Sequence, residues 1–109
     1  MAEELAVITR TFDLVKWSCQ HISRFPRHYR FTLGRRIERR LYKLLETLIE
    51  ARYVKERKPL LRQANLSLEL LRFQMRLAHE LRCLRTSSYG HASASLHEIG
   101  SMVGGWMKA

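Results

Sequence analysis

The stretch that decides the fold is Leu60–Leu84, LLRQANLSLELLRFQMRLAHELRCL. Its apolar residues recur every three or four positions, the spacing of one face of an α-helix. They do so twice. One seam runs Leu61, Ala64, Leu68, Leu71, Met75 and Ala78, and a second runs Leu66, Leu70, Phe73, Leu77, Leu81 and Leu84. A helix apolar over so wide an arc is either central to its own bundle or buries one face against another subunit. The pattern alone leaves both open.

The flanking segments read the same way. Upstream, Ile37, Leu41, Leu44, Leu48 and Ala51 predict a helix running to about Lys55, broken at Pro59 in ERKP. The first segment carries Leu5, Ile8, Phe12, Val15, Cys19 and Ile22 in alternating steps of three and four. It stops at RFPRH, because Pro26 disfavours helical geometry at Phe25. Downstream, TSSYG breaks the chain, with Ser87 or Ser88 as the candidate N-cap. The last helix shows Ala92, Leu96, Ile99, Val103 and Trp106. Period-2 segments are lacking, so the fold class is all-α. Short connections favour antiparallel neighbours. The expectation is an up-down-up-down four-helix bundle, one domain over residues 1–109.

The closing GSMVGGW is unusual for a helix, since each interior glycine costs roughly 1 kcal/mol relative to alanine. Gly100 and Gly104 lie four apart and share a face that would let another backbone approach. Alternatively Gly104 and Gly105 end the helix.

Charge narrows the function classes. The net charge is +10, and residues 24–43 hold eight cations (Arg24, Arg27, Arg30, Arg35, Arg36, Arg39, Arg40 and Lys43) against Glu38 alone. Such a field draws nucleic acid or other acidic partners. Arg36, Arg40 and Lys43 lie at i, i+4 and i+7, one stripe of the second long helix. Arg35 and Arg36 fall near that helix's start, where the dipole disfavours positive charge. Arginine dominates over lysine, and its planar fork suits bidentate phosphate contacts. These points favour a polyanion-binding surface made of Arg27, Arg35, Arg36, Arg39, Arg40 and Lys43 over an ordinary solvated face. In the third long segment Glu69, Arg72, Arg76 and Glu80 form a mixed stripe, whose plain reading is an intrahelical ladder of weak pairs.

Chemistry of other kinds finds no residues to carry it. Asp13 is the lone aspartate, and no carboxylate pair suggests acid and base roles. The five histidines show no zinc-like spacing with each other, a cysteine or an acid, and no glycine loop cradles phosphate. Ser93, Ser95 and His97 are close in sequence, yet nothing activates either serine. Cys19 and Cys83 read as reduced packing residues of a cytosolic protein. The opening MAEELAVITR lacks the pattern of a secretory signal, and no apolar run is long enough to span a bilayer. The expectation is a cytoplasmic, non-enzymatic protein with no cofactor and no metal.

Taken together, FPRHYRFTLGRRI, EARY, LLRFQMRLAHEL and EIGSMVGGW resemble the accessory variability determinant (Avd) proteins of diversity-generating retroelements. That family is related to the four-helix proteins of 23S ribosomal RNA intervening sequences. The resemblance covers roughly Phe12 to Lys108 in order. It implies a four-helix bundle assembling into a homopentameric barrel. It also implies a basic surface that binds RNA or DNA, and a reverse transcriptase as partner in the mutagenic copying of a template repeat. By residue, Arg72 and Arg76 of LRFQMR match arginines implicated in transcriptase contact, and Arg27 matches the arginine of FPR. The stripe Arg36, Arg40 and Lys43 is read from charge alone. The rival expectation is a stand-alone nucleic-acid-binding or ribosomal-RNA-associated bundle with no transcriptase. A further rival is a structural oligomer whose charge only keeps it soluble.

Overall fold

The structure, a computed structural model, describes the backbone of residues 2–109 and the side chains of residues 3–109. Among these residues the chain is helical, without strands: α1 (Ala2–Ile22), a single turn α2 (Arg27–Arg30), α3 (Leu33–Ala51), α4 (Lys58–Glu80) and α5 (Thr86–Lys108). α1 packs on α3 and α5, and α4 packs on the same two, so α1 and α4 stand diagonally opposite. Short connections between sequential neighbours, with α5 returning to α1, make the four long helices a bundle 43 Å along its longest axis.

Three of the five expected seams are core. On α3, Ile37, Leu41, Leu44, Leu48 and Ala51 are fully buried, and on α5 so are Ala92, Leu96, Ile99 and Val103, with Trp106 nearly so. The first seam of α4 is buried throughout.

The α1 seam is only partly the expected one. Val15 and Ile22 are buried and Ile8 and Cys19 half-buried against the core, but Leu5 and Phe12 are exposed, at 47% and 56%, and the core face also takes in Val7, Thr11, Leu14 and Ser18. Two small polar residues hide this phase from a hydropathy reading. The Thr11 hydroxyl donates to the Val7 carbonyl at 2.8 Å, so it is buried with its hydrogen bond made.

Element ends also differ. α3 stops at Ala51, where tight-turn bonds from Arg52 and Tyr53 reach back to Ile49 and Glu50. Pro59 does not break a helix. It lies in the first turn of α4, where no backbone N–H is required. α5 starts two or three residues earlier than expected, with Arg85 at the N-cap position and no side-chain cap. Gly104 and Gly105 do not end α5, which continues to Lys108. No backbone seats on the Gly100–Gly104 face within the described residues. A Cβ at Gly100 would meet the Arg72 guanidinium, and one at Gly104 would meet nothing.

Gly34 does have a steric task. A Cβ there would lie 2.7 Å from Ile22 Cγ2 and 3.4 Å from the Tyr29 carbonyl oxygen. The glycine of FTLG therefore lets the start of α3 close against α1 and α2. α4 ends on a left-handed residue, Arg82, with φ 64°. The Arg82 N–H bonds the His79 carbonyl at 3.0 Å and the Cys83 N–H bonds that of Ala78 at 2.8 Å. This pair of bonds closes many helices, with glycine as the usual left-handed residue.

Candidate nucleic-acid interface

α3 presents its cations to one groove. Arg35, Arg36, Arg39, Arg40 and Lys43 line a hollow of about 750 Å³ together with Phe31, Thr32 and, from α4, Gln74. Arg35 to Lys43 spans about 12 Å of helix at 1.5 Å per residue. Among the described residues, no carboxylate lines the groove and none of its five cations makes an ion pair. Glu38, although on α3, does not line the groove, and its charge is felt at Tyr42.

The helix start sharpens the imbalance. The first turn of α3 holds Arg35 and Arg36 and no acid. Thr32 occupies the N-cap, yet its hydroxyl donates to the His28 carbonyl at 3.2 Å and caps nothing. Positive side chains thus crowd the positive end of a dipole. An anion in the groove relieves both.

Arg27 lies elsewhere. It is exposed on α2 and does not line the groove. Its neighbour Arg30 is structural: its guanidinium donates to the Phe25 carbonyl at 3.3 Å and sits 5.9 Å from the Phe31 ring centre. Phe25 itself is 1% exposed.

On α4 the mixed stripe pairs as a ladder. Arg72 donates to Glu69 at 3.0 Å and Arg76 to Glu80 at 2.9 Å. The Glu80 bond raises the pKa of Arg76 further above its ordinary value. Both arginines are exposed, so these pairs hold little stability. Arg72 also lies over Gly100 of α5.

Two unlike apolar patches face outward. The second seam of α4 is one: Leu66, Leu70, Phe73 and Leu77 are exposed, with Arg72 and Arg76 along its edge. Leu81 and Leu84 leave that seam beyond the helix end, where Leu81 is half-buried and Leu84 seals the core. The other patch combines Leu5 and Phe12 of α1 with Tyr42 and Ile49 of α3, all exposed. Here the Tyr42 hydroxyl lies 3.5 Å from Cys19 Sγ. That hydrogen bond, with the negative charge of the Cys19 thiolate and partial burial, pushes the phenol up to about 12.

Sequence reading missed Phe31 and Gln74. Phe31, 59% exposed among arginines, was open to notice as an aromatic inside a basic run. Gln74 comes from another helix, and only the α3–α4 packing brings it to the groove, its buried side-chain oxygen without a partner among the described residues. Those residues also hold no group of three or more His, Cys, Asp or Glu placed to bind a metal, and no helix long and apolar enough to cross a membrane.

The family model described as bAvd-like matches residues 5–109, a span that includes every motif on which the Avd resemblance rests. A search of curated proteins finds no match.

Proposed function

The chain belongs to the bAvd-like family, and on that premise we propose that it is a non-catalytic accessory protein of a diversity-generating retroelement, holding a reverse transcriptase to its template RNA or cDNA. One observation carries the reading: five cations converge on the α3 groove with no acid among them. That arrangement meets phosphates along a strand without reading its sequence. Phe31 adds an exposed ring for an unpaired base.

Assembly follows from the two apolar patches. They are made of different residues, so a contact between them is heterologous, and repeated heterologous contacts form a ring where the rotation closes. Five copies is the number that the family resemblance implies. Arg72 and Arg76 then lie at the rim of each contact, beside Phe73, and are the residues we assign to the transcriptase. Such arginines are enriched among interface hot spots.

Two double variants separate the surfaces. Arg36→Glu/Arg40→Glu is expected to weaken both RNA and DNA binding at least tenfold at physiological salt, read by fluorescence anisotropy. Arg72→Ala/Arg76→Ala is expected to keep nucleic-acid affinity and lose capture of the reverse transcriptase encoded beside the gene, by about 2 kcal/mol. The opposite pattern overturns the assignment. A gene with no adjacent transcriptase favours the stand-alone nucleic-acid-binding protein instead.

A further inference from the structure

A second basic hollow, of about 620 Å³, lies at the bundle end where the α1–α2 turn meets the α4–α5 loop, and it shares no lining residue with the α3 groove. Arg24 enters from the turn, and Arg82 and Arg85 from the loop. All three are exposed. No carboxylate lines the hollow among the described residues. Glu80, close by in sequence, is held by Arg76 at 2.9 Å.

The hollow also has aromatic walls. His21 lines it and stacks on Trp17 with ring centres 3.9 Å apart. His79 lines it and stacks on Tyr89 at 4.6 Å and 12°. Each imidazole is thus held in place from behind. Thr86 and Ser87 add hydroxyl donors.

Arg82 is the least expected of these residues. Its backbone is left-handed, where glycine is at home and a side chain costs energy. The side chain is exposed, so packing does not recover that cost. A residue held at such a position against its preference points to use of its side chain.

We propose that this hollow binds a nucleoside 5′-phosphate, with the terminal phosphate among Arg24, Arg82 and Arg85 and the base against the His21 or His79 ring. A phosphate monoester carries nearly two charges and three acceptor oxygens. Guanidinium forks arriving from two chain segments suit such a compact anion. A diester within a strand carries one charge and needs an exit at both ends, which the linear α3 groove supplies. The volume falls within the range of small-ligand sites, and bases stack on imidazole as on other aromatic rings. The ligand is either the end of a strand or a free nucleotide, since both present this chemistry.

The test compares two short single-stranded RNAs, labelled at the 3′ end and ending in a 5′-phosphate or a 5′-hydroxyl, binding to the full-length protein. The phosphorylated strand is expected to bind on the order of tenfold more tightly, as charge-assisted hydrogen bonds allow. Arg82→Gly removes a guanidinium while relieving the left-handed backbone, so the variant folds. It is expected to erase most of the preference and leave affinity for the 5′-hydroxyl strand within about twofold, a range set by one lost phosphate contact. Arg36→Gln/Arg40→Gln is expected to weaken both strands and keep the preference. Adenosine monophosphate added as competitor identifies the source: displacement of the phosphate-dependent increment assigns the hollow to free nucleotides as well, and its persistence assigns it to strand ends. Equal affinity of the wild-type protein for the two strands overturns the proposal. So does a preference that survives Arg24→Gln/Arg82→Gly.

Discussion

If the proposed assembly forms, replacing Phe73 by glutamate should dismantle it and leave the protomer folded. Leu66, Leu70, Phe73 and Leu77 are 59%, 37%, 61% and 47% exposed. Together they amount to about two fully exposed side chains, so covering the seam is worth about 3–6 kcal/mol. Leu5, Phe12, Tyr42 and Ile49, at 47%, 56%, 45% and 40%, contribute a similar amount from the other side. One contact between the patches thus gains about 6–12 kcal/mol, comparable to the 4–15 kcal/mol that association itself costs. Such an interface has little surplus. Losing the covered part of Phe73 removes about 1–2 kcal/mol, and the buried, unpaired carboxylate adds several more. The expected loss of 3 kcal/mol or more corresponds to at least about 100-fold in the dissociation constant of every contact in the ring. Light scattering after gel filtration at micromolar concentration reads the mass. Thermal unfolding by circular dichroism reads the protomer, which Phe73 does not help to pack. A monomeric wild-type protein, or a variant with wild-type mass, refutes the reasoning.

Two further substitutions test the fold. Gly34→Ala should destabilise the protein by about 1–3 kcal/mol in urea unfolding, because Ile22 is buried and β-branched and cannot swing away from the added methyl. A stabilised variant would mean that the α1–α2–α3 junction is loose. Ser18→Ala should stabilise by about 1 kcal/mol, since the Ser18 hydroxyl is buried with no partner among the described residues. A loss of stability there would mean that the Ser18 hydroxyl is hydrogen-bonded and contradict its being unpartnered.

Legibility in the sequence depended on how each helix spends its apolar residues. α3 keeps an unbroken apolar seam at helical spacing, so Ile37, Leu41, Leu44, Leu48 and Ala51 could be read as core, although Tyr42 and Ile49 lie outside it. α1 divides them between the core and an outer face and fills part of its core face with Thr11 and Ser18, so periodicity found Val15 and Ile22 but also selected the exposed Leu5 and Phe12. α4 carries two complete seams, and nothing in the spacing says which one packs inward. The same asymmetry holds for the site. Arg36, Arg40 and Lys43 were visible as a stripe because i, i+4 and i+7 is a property of one helix. Gln74 and the seating of Arg72 over Gly100 were not, because each depends on which helices become neighbours. Arg82 was not singled out, since a left-handed backbone at an arginine leaves no mark in the sequence.

The slope of nucleic-acid affinity against salt tests the basic groove most directly. Five groove cations meeting a single strand give a slope of about −3.5 in log K against log salt, or about a 100-fold loss of affinity between 50 and 200 mM. Neutralising three of them, in Arg36→Gln/Arg40→Gln/Lys43→Gln, should make the slope shallower by about 2 and cut that loss to about sevenfold, with helicity unchanged. A wild-type slope near zero, or one that the triple variant leaves as steep as before, contradicts the groove as the nucleic-acid surface of this protein.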